Sequence, residues 1–289
     1  AIQGDKLVTH TFPLEDYEWA GQIVALGEGV NDFKVGDRVA GEAHVGCGKC
    51  DNCKKGHYTV CLNYGKDGHD GGLDMGHRHY GFYWQGANAE YNVYKTSALH
   101  IIPDNVSYDV AAMTDCAGVA FHGVEMAGVT PGGTCVVIGP GPIGLCAMQE
   151  CKALGAARVI VVGRGAKLEK ARELGADVCI DFEKEDPVQR VLELTNGIGA
   201  DEVMECSGAA DSPMKACKMA RKTGKVALIA TYHAGDVMIP ANTVNFNELT
   251  IVGSKANPNV SEQVLHFFST GAIQGDKLVT HTFPLEDYE

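Results

Sequence analysis

Residues 134–155 read TCVVIGPGPIGLCAMQECKALG. The apolar run 134–138 predicts a buried strand, and the apolar residues from Pro142 to Leu154 predict a helix. Between them lies Gly139-Pro140-Gly141-Pro142-Ile143-Gly144, a G-x-G-x-x-G pattern that follows a strand and opens a helix. Gly139 permits the tight turn, Gly141 lets backbone approach a pyrophosphate, and Gly144 lets the helix sit close on the sheet. Pro142 and Ile143 begin a helix whose free N–H groups and positive dipole end face the phosphates. In a chain with 36 glycines the bare pattern also arises as a structural tight turn. Its placement between strand and helix is what points to a dinucleotide cofactor.

Outward from this stretch the pattern is strand–helix alternation. Strands are expected near 134–138, 158–162, 178–180, 201–205, 225–229 and 249–252, and helices near 142–154, 167–175, 186–195, 211–221 and 259–268. Such alternation predicts an α/β fold with a doubly wound parallel sheet. Ligands of these folds bind beyond the carboxyl ends of the strands, here Gly139, Gly163, Cys206-Ser207-Gly208 and Ala230-Thr231. Ser207 and Thr231 are therefore candidate cofactor contacts. The second strand ends in Gly163-Arg164-Gly165, where a carboxylate for the ribose hydroxyls of NAD would ordinarily stand. Gly163 leaves room and Arg164, helped by Lys167, suits a 2′-phosphate, which favours NADP over NAD. The alternative is that Arg164 is a solvated loop residue.

The N-terminal half has a different texture. Residues 19–42 alternate short apolar runs with Gly and Asp and predict two antiparallel strands, 21–26 and 38–41. Cys47, Cys50, Cys53 and Cys61 follow with the spacing C-x2-C-x2-C-x7-C. Short loops of this kind bring four thiolates round one tetrahedral ion, so a structural zinc is expected, closed to water and without chemistry of its own. An iron–sulfur run would have three residues and then Cys-Pro in place of the seven here, and disulfides suit exported chains. His69, His77 and His79 lie among many Gly and Asp; a second metal site is one reading and a solvated loop the other, and no regular spacing converges them. Strands are expected over 86–94 and 98–106, then a helix over 107–128 with Ser107 as N-cap.

The 289 residues suit two domains, and 45% hydrophobic residues suffice for a substantial core. Lys+Arg 24 against Asp+Glu 37 gives a net charge of −13, which excludes nucleic acid as the natural partner. No apolar run reaches membrane-span length, and no signal peptide is visible. Single cysteines in apolar settings read as reduced thiols, so a cytoplasmic location is expected. Residues 1–18, AIQGDKLVTHTFPLEDYE, recur without change as 272–289. One perfect repeat at the two ends is no repeat array. It is expected from a circular reading frame whose ends overlap; a recent duplication is the alternative.

Taken together, 19–38 (WAGQIVALGEGVNDFKVGDR), Cys47 to Cys61, 86–91 (GANAEY), 102–105, 114–144, 205–208 (ECSG) and 278–286 (LVTHTFPLE) resemble the zinc-dependent medium-chain dehydrogenase/reductase family of alcohol, polyol and threonine dehydrogenases. The resemblance implies a GroES-like catalytic domain joined to a Rossmann domain, assembled as homodimers or homotetramers. It also implies a second, catalytic zinc that polarises an alcohol oxygen while hydride passes to a nicotinamide. Cys116 falls where the family places a ligand of that zinc. On this basis the domains are expected to be 19–106, a partial GroES-like domain with its zinc lobe at 44–62, and 107–271, the Rossmann domain.

The resemblance has a gap. The family segment before Trp-Ala-Gly ends Gly-His-Glu, whereas this chain reads Asp16-Tyr17-Glu18, so Tyr17 takes the histidine position and Glu18 the glutamate position. Residues 1–18 read as a displaced C-terminal-like segment, and 272–289 as the start of a return to the catalytic domain. The first catalytic-domain strands are then expected to be missing, and Cys116 and Glu18 are the only remaining candidates for the catalytic zinc. Two readings follow: an NAD(P)-dependent oxidoreductase of a secondary alcohol, polyol or amino-alcohol, or a nucleotide-binding remnant with weak or no activity that keeps only the structural zinc.

Overall fold

Six parallel strands form the larger sheet of the computed structural model. The structure describes residues 6–9, 19–63, 78–80, 86–87, 89–233 and 235–282, with the backbone alone at 6–9, 78 and 79. It divides into two compact units. One runs up to Gly118 and resumes at Ala256; the other is Val119–Lys255.

In the first unit, β1 (Lys6–Thr9), β2 (Trp19–Ala25) and β3 (Arg38–Gly41) are followed by β4 (His44–Val45), α1 (Asp51–Lys54) and β5 (Arg78–His79). Then come β6 (Asn92–Tyr94), β7 (Leu99–Ile101) and α2 (Tyr108–Ala111), and α3 (Thr114–Ala127) crosses into the second unit. The sheet is antiparallel, in the order β6-β1-β2-β3-β7. Its core is aromatic: Trp19 meets Tyr94 edge-on at 4.6 Å and Tyr80 stacks on Tyr94 at 3.9 Å. Gly41 is required beside them, because a Cβ there would lie 2.3 Å from the Trp19 ring.

The second unit continues with β8 (Thr134–Ile138), α4 (Pro142–Ala153), β9 (Arg158–Gly163), α5 (Gly165–Glu173), β10 (Val178–Asp181) and α6 (Pro187–Leu194). It closes with β11 (Ala200–Glu205), α7 (Ser212–Met219), β12 (Ala220–Leu228), α8 (Ala241–Phe246) and β13 (Thr250–Gly253). Val136, Ile160, Ile180, Val203 and Val226 fill the sheet's core with no exposed surface. Apolar on both faces, these strands cannot serve as solvent-facing ribbons and are covered by helices. The strand order, β10-β9-β8-β11-β12-β13, is the doubly wound one, with its switch point between β8 and β11. Two last helices, α9 (Ser261–Thr270) and α10 (Gly275–Leu278), belong to the first unit.

The two compact units meet at 118/119 and 255/256. The cause is packing. Helix α2 lies on β2, and α9 lies on β7 and α2. Asn105 Nδ2 donates to Ser269 O at 2.8 Å, and Gly275 sits so tightly against Val110 that a Cβ would come within 2.4 Å of it. The single helix expected over 107–128 is two, with Ser107 Oγ accepting from Val110 N at 3.3 Å as the first one's cap. The expected strand over 86–94 is confined to β6.

The repeated segment has two structures. Lys6 and Leu7 are strand, Lys6 paired with β6 and Leu7 with both β2 and β6, so the first copy supplies a strand to the small sheet. Their copies, Lys277 and Leu278, end the helical turn α10.

Candidate functional site

The carboxyl edge of the parallel sheet gathers the residues expected to hold a cofactor. At the end of β8, Gly139 turns with φ +93°, and a Cβ on it would lie 2.7 Å from Ser207 Cα. The turns after β8 and β11 therefore touch at the switch point, and a glycine alone fits there. Gly144 packs under the same turn, where a Cβ would meet Gly139 O at 2.0 Å. Gly141 is different: it caps α4, a Cβ on it would meet nothing within 4 Å, and Pro142 follows in the helix's first turn with Ile143 beside it. The result is a glycine-walled, open approach to a helix N-terminus, which suits a pyrophosphate.

Sequence reading passed over the group that fixes this edge. Glu205, at the end of β11, has no exposed surface. Its Oε1 accepts from Ser207 N at 2.8 Å, Ser207 Oγ at 2.5 Å, Gly208 N at 3.2 Å and Ser212 Oγ at 2.8 Å. Its Oε2 accepts from the phenol of Tyr232 at 2.5 Å. Burial, followed by the bond to Glu205 and its charge, raises Tyr232 above the ordinary phenol range. The carboxylate thus ties the loop after β11 to the loop after β12, which carries Thr231. Gly208 reinforces the tie, since a Cβ there would lie 2.6 Å from Thr231 O. The available signal was a glutamate ending an otherwise apolar strand, VMECSG.

At the end of β9, Gly163 admits Pro140, whose ring carbons would lie 2.4 Å from an added Cβ. Arg164 stands next to it as the N-cap of α5. Its side chain is 62% exposed, and its guanidinium pairs with Glu183 Oε1 at 2.5 Å and lies 5.7 Å over the Phe182 ring. Gly139, Gly141, Pro142, Ile143, Gly144, Gly163, Arg164, Ser207 and Thr231 therefore lie along one edge, at the ends of the neighbouring strands β9, β8, β11 and β12.

The four cysteines converge as their spacing requires. Their sulfurs all lie within 4.8 Å of one another, with Cys47 to Cys53 at 3.9 Å and Cys50 to Cys61 at 3.8 Å. Four sulfurs at tetrahedral zinc bond lengths stand about 3.8 Å apart, so the donor set fits zinc. Backbone N–H groups of Cys50, Cys53 and Asn63, with the Asn63 side chain, point at sulfurs at 3.4 Å. Burial works against the Cys47 thiolate, but the N–H groups of Lys49 and Cys50 and the Asn63 amide outweigh it and bring Cys47 down to about 6. Burial, with the neighbouring Cys50, pushes Cys53 up to about 12. Among the described residues, no other group of three or more Cys, His, Asp or Glu is close enough to hold an ion.

Cys116 is buried in the first turn of α3. Glu18, His69 and His77 lie outside the described residues, and His79 is described only as backbone in β5. Among the described residues, no helix is long and apolar enough to cross a membrane.

Comparison with known proteins agrees with this geometry. The zinc-binding dehydrogenase family matches residues 142–270, and the alcohol dehydrogenase GroES-like domain matches residues 10–104. The sorbitol dehydrogenase of Halalkalibacterium halodurans is 34% identical over 278 residues, 94% of this chain and 77% of that protein. Among solved structures, the alcohol dehydrogenase TADH from Thermus sp. ATN1 superposes with a TM-score of 0.86 at 29% identity, covering 97% of this chain and 86% of that one. A structure from Sinorhizobium meliloti 1021 that holds NADP superposes with a TM-score of 0.83 at 28% identity, over 93% of this chain and 82% of that one. The chain belongs to the zinc-dependent medium-chain dehydrogenase/reductase family, with a GroES-like domain and a Rossmann-type domain. It is an NAD(P)-dependent, zinc-containing oxidoreductase of the alcohol dehydrogenase type. None of these similarities supports a non-catalytic remnant.

Proposed function

We propose that the chain transfers hydride between a secondary alcohol, polyol or amino-alcohol and NADP, with NAD the weaker cofactor. The observation that carries the cofactor choice is Arg164 at the end of β9, where the ribose of a bound nucleotide would lie and no carboxylate stands. The NADP held by the Sinorhizobium meliloti relative supports it. In this reading Gly139 to Gly144 and the α4 N-terminus take the pyrophosphate. Ser207 and Thr231 flank the nicotinamide half, and Arg164 leaves Glu183 to receive the 2′-phosphate.

Cys116 and Glu18 are assigned to the catalytic zinc. Cys116 offers a sulfur in the first turn of α3, and cysteine sulfur is an ordinary zinc ligand. When bound, that zinc supplies Lewis acidity toward the alcohol oxygen. The chain's own part is to hold the nicotinamide at a fixed place on the sheet edge and to present the thiolate. Dimers or tetramers belong to the same proposal.

Titration of protein fluorescence with NADP and NAD tests it. NADP is expected to bind more tightly, and Arg164→Ala to weaken NADP by about tenfold while leaving NAD nearly unchanged. Equal affinities that Arg164→Ala does not alter would overturn the cofactor assignment. Metal analysis adds the second check: two zinc per chain are expected, and one would remove the role given to Cys116 and Glu18.

A further inference from the structure

The seven residues between Cys53 and Cys61 do more than close a metal loop. Tyr58 lies in them, five residues after one sulfur ligand and three before the next, so an ion bound there fixes it from both sides. Gly46 makes room for this arrangement, since a Cβ on it would lie 2.6 Å from both Cys53 Sγ and Tyr58 Cβ. The Tyr58 phenol donates to Glu42 Oε2 at 2.6 Å and accepts from Asn259 N at 2.9 Å. Glu42 is 2% exposed, and its other oxygen accepts from Ser261 Oγ, the first residue of α9, at 2.5 Å. Gly56 O, in the same seven residues, accepts from Asn259 Nδ2 at 2.9 Å.

The segment held in this way is under backbone strain. Ala256 and Asn259 both stand in the left-handed region, at φ 56° and 62°. Asparagine tolerates that region, whereas alanine enters it only when its surroundings impose it. Between them Asn257 has no exposed surface, and neither of its amide atoms has a hydrogen-bond partner among the described residues. Packing holds it: a Cβ on Gly118 would lie 2.8 Å from Asn257 Cβ and 3.3 Å from Val260 Cγ2. Gly118 is two residues beyond Cys116 on α3.

We propose that Tyr58 and Asn259 are positioning residues through which the four-cysteine lobe seats the first turn of α3. Metal in the lobe fixes Tyr58 and Gly56, these hold Asn259, and the strained segment sets Asn257 against Gly118 and thereby the place of Cys116. The consequence for turnover rests on the assignment of Cys116 proposed above; the positioning itself does not.

The test uses the whole metal-loaded chain. Asn259→Gly keeps the left-handed backbone and removes only the side-chain bond to Gly56. Tyr58→Phe removes the phenol's bonds to Glu42 and Asn259. The readouts are peptide-resolved hydrogen exchange at 114–118 and 256–261, with 134–138 as control, iodoacetamide labelling of Cys116 by mass spectrometry, and zinc content. In Asn259→Gly, exchange in both segments and labelling of Cys116 are expected to rise about fivefold, with a larger rise in Tyr58→Phe. The control segment and the lobe zinc should not change. Should Tyr58→Phe fail to fold, Asn259→Gly still decides. Faster exchange at 256–261 with 114–118 and Cys116 unmoved would overturn the proposal, as would loss of the lobe zinc in Asn259→Gly. If exchange at 114–118 rises while turnover stays at the wild-type value, the positioning stands and the assignment of Cys116 falls.

Discussion

The Tyr232 phenol donates to Glu205 Oε2 at 2.5 Å, joining the loops after two neighbouring strands through one buried carboxylate. Among the described residues, no Lys or Arg shares this carboxylate among its hydrogen-bond partners; backbone N–H groups and hydroxyls take that part. Removing it would leave buried donors unsatisfied. Glu205→Ala is expected to cost about 2–4 kcal/mol of stability and to weaken cofactor binding by more than tenfold. Tyr232→Phe, which removes one charge-assisted bond, should cost about 1.5–3 kcal/mol. Denaturant unfolding and cofactor titration on each variant measure both effects.

Two glycines of one motif should differ in what they cost the fold. Gly139→Ala meets both a positive φ and Ser207 Cα at 2.7 Å, so it should destabilise the fold by about 1–3 kcal/mol as well as impair binding. Gly141→Ala has an ordinary φ of −75° and open space before it. Its thermal midpoint should stay at the wild-type value while its cofactor Kd rises at least tenfold, because the methyl occupies the approach of the pyrophosphate. Thermal unfolding in the absence of cofactor, set beside a binding titration, separates the two.

Arg164 already has an anion beside it. Glu183 competes with a 2′-phosphate for the guanidinium, and both partners are more than half exposed. Glu183→Gln should therefore tighten NADP by only about two- to fivefold, the range of an exposed ion pair. NAD affinity should stay constant, and the gain should shrink as salt is raised. Paired titrations at low and high ionic strength read this directly.

Metal uptake by the four-cysteine lobe should release fewer than four protons at neutral pH. All four sulfurs bind as thiolates. Cys47, held near 6, is largely deprotonated before metal arrives, whereas Cys53, near 12, must give up its proton. Affinity should consequently fall as pH falls, since protons compete for the same sulfurs. Zinc titration of the chelator-stripped protein in weakly buffered indicator solution counts the protons.

The sheet was legible because its residues carry their own periodicity. The runs VVI and VIVV are apolar on both faces, VM continues the pattern up to Glu205, and all stand between turn residues, so strand positions and a parallel sheet followed from local pattern. The four-cysteine lobe was legible for the same reason, since its ligands lie close in sequence. Glu205 was harder to read, because its worth lies in Tyr232, 27 residues away. Asn259 and Tyr58 are 201 residues apart, and nothing near either one announces the other. Helix α9 has the apolar pattern of a helix that would suit either unit, and its partners β7 and α2 decide where it belongs.

Lys6-Leu7 and Lys277-Leu278 sit in identical eighteen-residue surroundings, yet one pair is strand and the other closes a helical turn. That dipeptide carries no structural instruction of its own. Its address is written elsewhere, in the open hydrogen-bonding edges of β2 and β6 for the first copy and in the packing of α10 on α2 for the second. A free peptide of this sequence, studied alone, would represent neither copy, and any rule that reads conformation from the segment itself must fail for one of the two.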